Sequence, residues 1–471
     1  VTDLHLPIDR AAGRLAAQIA AGFRGAVRSG RLAAGTRLPS SRDLARDLEV
    51  SRGVVVTAYE QLIAEGFLTA RRGDGTRVAE LARPDTPGPL AEPEPEPAPA
   101  PAAKAAYDLR PGRPDLSTFP RERWAAALRA VLRTTPHEQL FDYPDPAGVP
   151  VLRAELAGYL GRVRAAAVAP EQVTIMNGVA HGLSSTARLL LAEGHTALAL
   201  EDPTTDRQLP MLEAAGIRLE RVRVDAEGLD VAALRRTGAR AVLVTPAHQY
   251  PTGVVLSPGR RAELIAWARE VDGLIIEDDY DAEFRYDRDP VGCLQGVDPE
   301  RVVLLGSVSK ALAPALRLGW AAAPPRLARR LRGHRRHTDL GAPALEQHAL
   351  AHYLSSGGYD RHLRTMRRRY RARRDALVEA LREHVPEATV HGVSAGIHLY
   401  VELPRGTDEA AVTAAAAEAG LAVTGASSMW SSGRAAAAAP ALVLGYAGLS
   451  EARLAKAAAL LGTVVTLGAR G

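Results

Sequence analysis

Lys310 stands beside small hydroxyl residues in Ser307-Val308-Ser309-Lys310, and Arg317 follows seven positions on. These residue types suit a phosphorylated aldehyde, because an amine forms a Schiff base with the aldehyde and hydroxyls with a guanidinium hold the phosphate. Taken alone, the stretch also reads as a solvated turn with ordinary cations. Other polar residues collect after apolar runs. Asn177-Gly178-Val179-Ala180 follows Val173–Met176 and opens a helix, whose first amides can hold a phosphate. His248 lies in Thr245–Gly253 after Ala241–Val244, and Glu277-Asp278-Asp279-Tyr280-Asp281 follows Leu274–Ile276. A carboxylate in that acidic run can meet a protonated pyridine nitrogen, and a tyrosine two residues on can reach the ring's phenolic oxygen, a pair that tunes an electron sink. The run could also hold a divalent metal, but no histidines flank it. The lone cysteine, Cys293, excludes a Cys-based metal site and an intramolecular disulfide, so no metal is expected. No G-x-G-x-x-G or Walker motif occurs, which disfavours a nucleotide.

The elements that must carry these residues alternate between strand-like and helix-like. Apolar runs at 173–176, 197–200, 241–244, 274–276, 302–305 and 320–323 are separated by amphipathic stretches such as Leu183–Leu191 and Arg260–Glu270. The pattern predicts an α/β fold with a mostly parallel, doubly wound sheet, which binds ligands at its strand ends. A long Arg-studded helix is expected from about Tyr353, followed by a smaller C-terminal α/β portion. The eight arginines among residues 361–374 read as a solvated helix face. At 471 residues the chain needs more than one core, and its 46% apolar content is globular. The first residues show no signal-peptide pattern and no run approaches a membrane span, so a cytoplasmic protein is expected.

Residues 1–79 hold 12 arginines against 8 acidic residues, a balance of +4 in a chain whose formal charge is +5. Leu15, Ile19, Phe23 and Val27 recur every fourth residue, one face of a first helix. Ser40 caps a second helix and Ser51 a third, which carries Val55, Ala58, Tyr59 and Leu62. Phe67 to Val78 then reads as two strands around Gly73-Asp74-Gly75. Three helices and a hairpin make a winged helix-turn-helix, whose third helix enters the major groove by its N-terminal end. Ser51 and Arg52 then lie near the bases, with Arg52 the expected guanine reader. Arg37, Ser40 and Arg42 can reach phosphate, and Arg72, Gly73 and Thr76 sit at the wing tip. Residues 80–106 alternate proline with alanine and glutamate, a spacer that favours extended polyproline II.

The run Arg37-Leu38-Pro39-Ser40-Ser41-Arg42-Asp43-Leu44-Ala45, then Val50-Ser51-Arg52, Ala58-Tyr59 and Ala64-Glu65-Gly66-Phe67-Leu68, resembles the GntR-type winged helix-turn-helix. Gly53-Val54 departs from it, since members often place a hydroxyl residue after the arginine. Residues 107–471 resemble the fold-type I aminotransferases that use pyridoxal 5′-phosphate. Asp108-Leu109-Arg110-Pro111-Gly112, Tyr143-x-Asp145-Pro146-x-Gly148, Pro246-x-His248-Gln249-Tyr250-Pro251-Thr252-Gly253 and Ser307-x-Ser309-Lys310 carry that resemblance. Together with Glu277-Asp278-Asp279-Tyr280-Asp281-x-Glu283-Phe284 they look like the MocR regulators, which fuse the two modules.

The resemblance implies that Lys310 is the Schiff-base lysine and that Arg317, Ser307, Ser309, Gly178, Val179 and Ala180 bind the phosphate. Asp278, in preference to Asp279, would meet the pyridine nitrogen, and Tyr280 the ring oxygen. His248 stands near a ring-contacting position, and Tyr143 matches a tyrosine reaching the phosphate from a second subunit, implying a homodimer. Thr205 stands where the family stacks an aromatic ring, and Val443 where aminotransferases grip a substrate carboxylate by arginine; Arg434 and Arg207 are nearby replacements. The expectation is a homodimeric, promoter-DNA-binding transcriptional regulator that senses pyridoxal phosphate, or an amine or amino acid condensing with it, with at most partial chemistry. An active aminotransferase, and a regulator that has lost the cofactor, are the alternatives.

Overall fold

Ile19 and Phe23, one helical turn apart, are buried on the inner face of α1 (Leu15–Arg28). The computed structural model describes residue 6 and residues 8–71, 75–80, 105–287 and 291–468, and the chain divides into two units, Val1–Pro101 and Ala102–Gly471. In the first unit α1 packs on α3 (Arg52–Ala64), with the Phe23 and Tyr59 rings edge to face at 5.7 Å. Ser40 caps α2 (Ser41–Asp47) by accepting the Asp43 amide at 3.2 Å, and Ser51 caps α3 by accepting that of Val54 at 3.4 Å. β1 (Leu68–Arg71) pairs antiparallel with β2 (Gly75–Val78), and Leu68 and Val78 close the core. Residues 36–38 pair with β2 through Leu38 N–H to Thr76 O and Val78 N–H to Thr36 O, both 2.9 Å. This is a winged helix-turn-helix. The wing-tip residues Arg72 and Gly73, and all of the spacer from 81 to 104, lie outside the described residues.

The second unit is built on an eight-stranded sheet in the order Val173–Met176, Gly319–Ala322, Val302–Ser307, Leu274–Asp279, Ala241–Val244, Ala197–Asp202, Arg218–Asp225, Gly228–Leu229. The five strands from Val302–Ser307 to Arg218–Asp225 are parallel, and Gly319–Ala322 runs against both of its neighbours. Both faces are covered, as parallel sheets require. Ile276 and Leu305 pack with Leu183 of the helix Val179–Ala192 on one face, and Ile275 and Val302 with Trp267 of the helix Pro258–Glu270 on the other. A four-stranded antiparallel sheet, in the order Thr389–His391, His398–Glu402, Ala441–Gly445, Thr424–Gly425, forms the smaller C-terminal part. Among the described residues no helix is long and apolar enough to cross a membrane.

Three features differ from the sequence reading. The strand Arg218–Asp225 was missed because Arg218, Glu220, Arg221 and Arg223 break its apolar pattern. The expected long Arg-studded helix is Gly358–His384, but it starts after Gly357, whose φ of +66° suits glycine, and Tyr353 belongs to the preceding helix Ala344–Ser355. The arginines of the long helix are not all solvated: buried Arg373 pairs with Asp115 at 2.8 Å, and Arg367 donates to the Glu283 carbonyl.

Candidate functional site

The parallel ladders carry several strands past their apolar runs into polar residues. Leu305 pairs with Asp278, Gly306 with Asp279, and Glu201 with Val222, so Glu277, Asp278, Asp279, Glu201 and Asp202 lie on strands. The strands Val173–Met176, Ala197–Asp202, Ala241–Val244, Leu274–Asp279 and Val302–Ser307 all end at one sheet edge. The segments carrying Asn177, Thr205, His248, Tyr280 and Lys310 leave from that edge, where α/β folds bind ligands.

Strand alternation separates the two candidate carboxylates. Asp279 faces buried Arg164, whose Nε and Nη2 donate to its two oxygens at 2.8 and 3.0 Å. Asp278 faces the other way, and among the described residues its buried Oδ1 has no hydrogen-bond partner. Burial first, and the Asp279 charge next, push Asp278 up to about 7, against the charge of Lys310 and a contact from Gln208, a residue the sequence reading missed. The Lys310 Nζ donates to the Gly112 carbonyl at 2.5 Å. Its pKa is lowered by burial first and by the Arg207 charge second, while Asp281 and Asp278 act the other way.

Gly178 caps the helix Val179–Ala192 at φ +83°, with no side chain bonding the first-turn amides. A Cβ at Gly178 would lie 2.8 Å from the Arg317 Nη2, so the guanidinium rests directly on this glycine. Arg317 donates to the Asn177 carbonyl and is itself at φ +52°. Gly319 crosses Gly178 so closely that a Cβ there would meet its Cα at 2.8 Å. Helix N-terminus, guanidinium and the nearby Ser307 and Ser309, whose amide donates to the Ser307 hydroxyl at 3.3 Å, make an anion cradle.

His248 is buried, with Nδ1 3.0 Å from Asp281 Oδ2 and 3.1 Å from the Tyr280 hydroxyl. Tyr280 donates to the His248 carbonyl at 3.0 Å, and the rings of His248 and His398 lie 5.0 Å apart. His398 was not picked out from the sequence and Asp281 only as a member of the acidic run, since only packing brings them to His248. These three residues place possible metal-ligand atoms within 4.8 Å of one another, but hydrogen bonds to Asp281 and to the Pro251 carbonyl already engage the two histidines.

Thr205 is half-buried and accepts the Arg207 amide at 3.3 Å. Val443 is wholly buried among Tyr400, Ala426 and Met429, in an apolar wall. Arg434 lies 3.5 Å from buried Asp202, which also accepts the Ser431 amide and hydroxyl. Arg207 is exposed at the mouth, close enough for its charge to act on both Lys310 and Tyr250. Tyr143 is 80% exposed.

In the first unit Ser51 and Arg52 stand exposed at the start of α3, and Arg52 Nε donates to the Ser41 hydroxyl at 3.3 Å. Arg37 lies over Gly75 of the wing, 3.3 Å from the position of a Cβ, and the half-buried Thr76 is the next residue. Ser40 and Arg42 are exposed at the start of α2, and among the described residues Arg37, Arg42 and Arg52 have no acidic partner. Their charge is free for a polyanion.

Residues 15–78 match the bacterial regulatory proteins of the gntR family, and residues 112–460 match aminotransferase class I and II. The chain is 34% identical over 403 residues to the probable rhizopine catabolism regulatory protein MocR of Rhizobium meliloti, covering 82% of this chain and 81% of that protein. It is 34% identical over 422 residues to the HTH-type pyridoxine biosynthesis transcriptional regulator PdxR of Corynebacterium glutamicum, covering 88% of each. The fold is similar to that of LysN, an α-aminoadipate aminotransferase from Thermus thermophilus complexed with N-(5′-phosphopyridoxyl)-L-leucine, at 27% identity and TM-score 0.68 over 76% of this chain and 92% of that one. The aminotransferase domain indicates pyridoxal 5′-phosphate as its cofactor. The residues present fit it: among the described residues Asp278 keeps a buried oxygen unpartnered, and the Arg317 guanidinium on Gly178 at the helix N-terminus brings the charge a phosphate needs. With a DNA-binding module of the GntR type at one end and this domain at the other, the chain belongs to the MocR subfamily of GntR transcriptional regulators.

Proposed function

We propose that this regulator holds pyridoxal 5′-phosphate at Lys310 and senses the cofactor, or an amine or amino acid that condenses with it, and so alters how its winged modules engage promoter DNA. The observation that carries this reading is the meeting at one sheet edge of a desolvated lysine amine, a buried carboxyl oxygen without a partner and a helix-N-terminal anion cradle. Burial favours the neutral amine of Lys310, the form that attacks an aldehyde. Asp278 would meet the pyridine nitrogen and Tyr280 the ring oxygen. Val179 and Ala180 amides, with Gly178, Arg317, Ser307 and Ser309, would take the phosphate. When bound, the group supplies an aldehyde that primary amines condense with and a ring that withdraws electrons. His248 would act from behind Tyr280, and Tyr143 would reach a second subunit's phosphate in a homodimer. Arg207 is the better placed carboxylate grip, because Asp202 engages Arg434.

The apolar wall around Val443 favours sensing over fast turnover of an ordinary amino acid. Coupling to DNA requires the ligand to bind two arrangements of the protein unequally. The test is absorbance of the purified protein with cofactor, followed by mobility shifts of promoter DNA with and without cofactor and a panel of amines. A visible band lost in Lys310→Ala, together with ligand-dependent DNA binding, is expected. No band in the wild type would overturn the cofactor site. Sustained turnover with an amino acid and a keto acid would make the domain an active aminotransferase instead.

A further inference from the structure

His248, Asp281 and His398 lie behind Tyr280, all nearly fully buried, and come from three separate parts of the chain. His398 Nε2 lies 3.1 Å from the Pro251 carbonyl, so it carries the proton and leaves Nδ1 bare, an atom buried without a partner among the described residues. At His248 the proton sits on Nδ1, because the Asp281 carboxylate 3.0 Å away only accepts. That same N–H is 3.1 Å from the Tyr280 oxygen, while the Tyr280 hydrogen goes to the His248 carbonyl at 3.0 Å. One residue thus faces Tyr280 with a donor and an acceptor at once. The loop leading into the strand His398–Glu402 holds this arrangement in place. Gly396, at φ +75°, lies so close that a Cβ would sit 2.6 Å from both His248 Nδ1 and Asp281 Oδ2. Its carbonyl is in turn bonded by the Tyr286 hydroxyl at 2.7 Å and by that of Tyr446.

We propose that His248, oriented by Asp281 and packed on His398, is a positioning residue for Tyr280 that decides whether its hydroxyl presents a hydrogen or a lone pair to the cofactor's ring oxygen. The inference rests on the cofactor site proposed at Lys310. Charge on the ring oxygen depends on what Tyr280 presents, so His248 sets the pH at which the bound chromophore changes protonation. The other groups acting there are Asp278, Glu201, Tyr250 and Asp281 around Tyr280, Lys310 beside His398, and Arg207 near Lys310. His248→Ala leaves all of them in place.

The experiment is an absorbance pH titration of full-length, cofactor-loaded protein for His248→Ala, Tyr280→Phe and the double variant. Each single change is expected to move the midpoint by about one pH unit, and the double to move it no further than Tyr280→Phe does, because His248 acts through the hydroxyl. His248→Asn, whose amide N–H takes the place of Nδ1, should restore most of the midpoint. Additive shifts, a wild-type midpoint in His248→Ala, or an Asn variant no better than Ala would overturn the proposal. A wild type with no cofactor band would instead overturn the site at Lys310. Histidine-nitrogen NMR of cofactor-free protein tests the same point should the alanine variant not load. Protons on His248 Nδ1 and His398 Nε2 are expected, and the opposite tautomers would refute the arrangement.

Discussion

Asp278 and Asp279 are chain neighbours on opposite faces of one strand, and the same substitution should affect them in opposite ways. Asp279→Asn leaves Arg164 charged and buried without its partner, which should cost about 3–5 kcal/mol in urea unfolding. Asp278→Asn removes a carboxyl that burial has pushed up to about 7. A raised carboxyl binds its proton more tightly in the folded chain. The stability it contributes is therefore present below the ordinary carboxylate range and lost as pH rises through about 7. Cofactor-free Asp278→Asn should melt slightly above the wild type near about pH 5, where the loss has begun, and well above it near about pH 8. Its affinity for the cofactor should fall at both, because the asparagine cannot pair with a pyridinium. Melting curves at the two pH values and an absorbance titration check this; a wild type that melts above the variant at the higher pH would contradict the sign.

At the scale of elements, the proposed function rests on two helix N-termini. The helix Val179–Ala192 starts at a glycine with the Arg317 guanidinium lying on it, so Gly178→Ala must displace the guanidinium and strain a positive φ. Cofactor affinity should drop at least about tenfold, roughly 1.4 kcal/mol, with little change in DNA binding. The N-terminus of α3 presents Arg52 to solvent, and among the described residues the Ser41 hydroxyl is its one side-chain hydrogen-bond partner. Arg52→Ala should weaken promoter binding by about 1–3 kcal/mol and relax preference at one base position. Arg37→Ala and Arg42→Ala should each lower the salt dependence of binding by about one counterion without changing sequence preference. Mobility shifts over a salt series separate the two classes. Equal loss on all sequences for Arg52→Ala would make it a phosphate contact.

For the whole molecule, exposed apolar residues offer a face on which the second copy of the proposed homodimer would dock. Phe141 is 68% and Tyr143 80% exposed, and Leu340 is 49% exposed next to Gly341, which packs on Pro144. A patch of this kind is unusual on a monomer. Sedimentation velocity should show a dimer, and Phe141→Glu should shift it toward monomer. Tyr143→Ala should keep the dimer while weakening cofactor binding, as expected if the tyrosine serves the neighbouring subunit's site. A monomeric wild type would remove both the dimer and the role of Tyr143.

Much of this protein was legible in the sequence because the signals are local. Four-residue spacing of Ile19 and Phe23, serine caps at Ser40 and Ser51, and the apolar runs of the parallel strands each depend on neighbours a few residues away. The grouping of Lys310 with hydroxyls and an arginine is equally local, but taken alone it read equally well as a solvated turn. The tertiary structure decided what depends on register and on distant partners. The ladder runs on beyond the apolar stretch, and its alternation sends Asp278 toward Lys310 and Asp279 toward Arg164. Asp202 engages Arg434 from far along the chain, and His398 comes from the second sheet to stand by His248. No spacing in the chain encodes such meetings, because they are fixed by packing of surfaces formed from many segments at once.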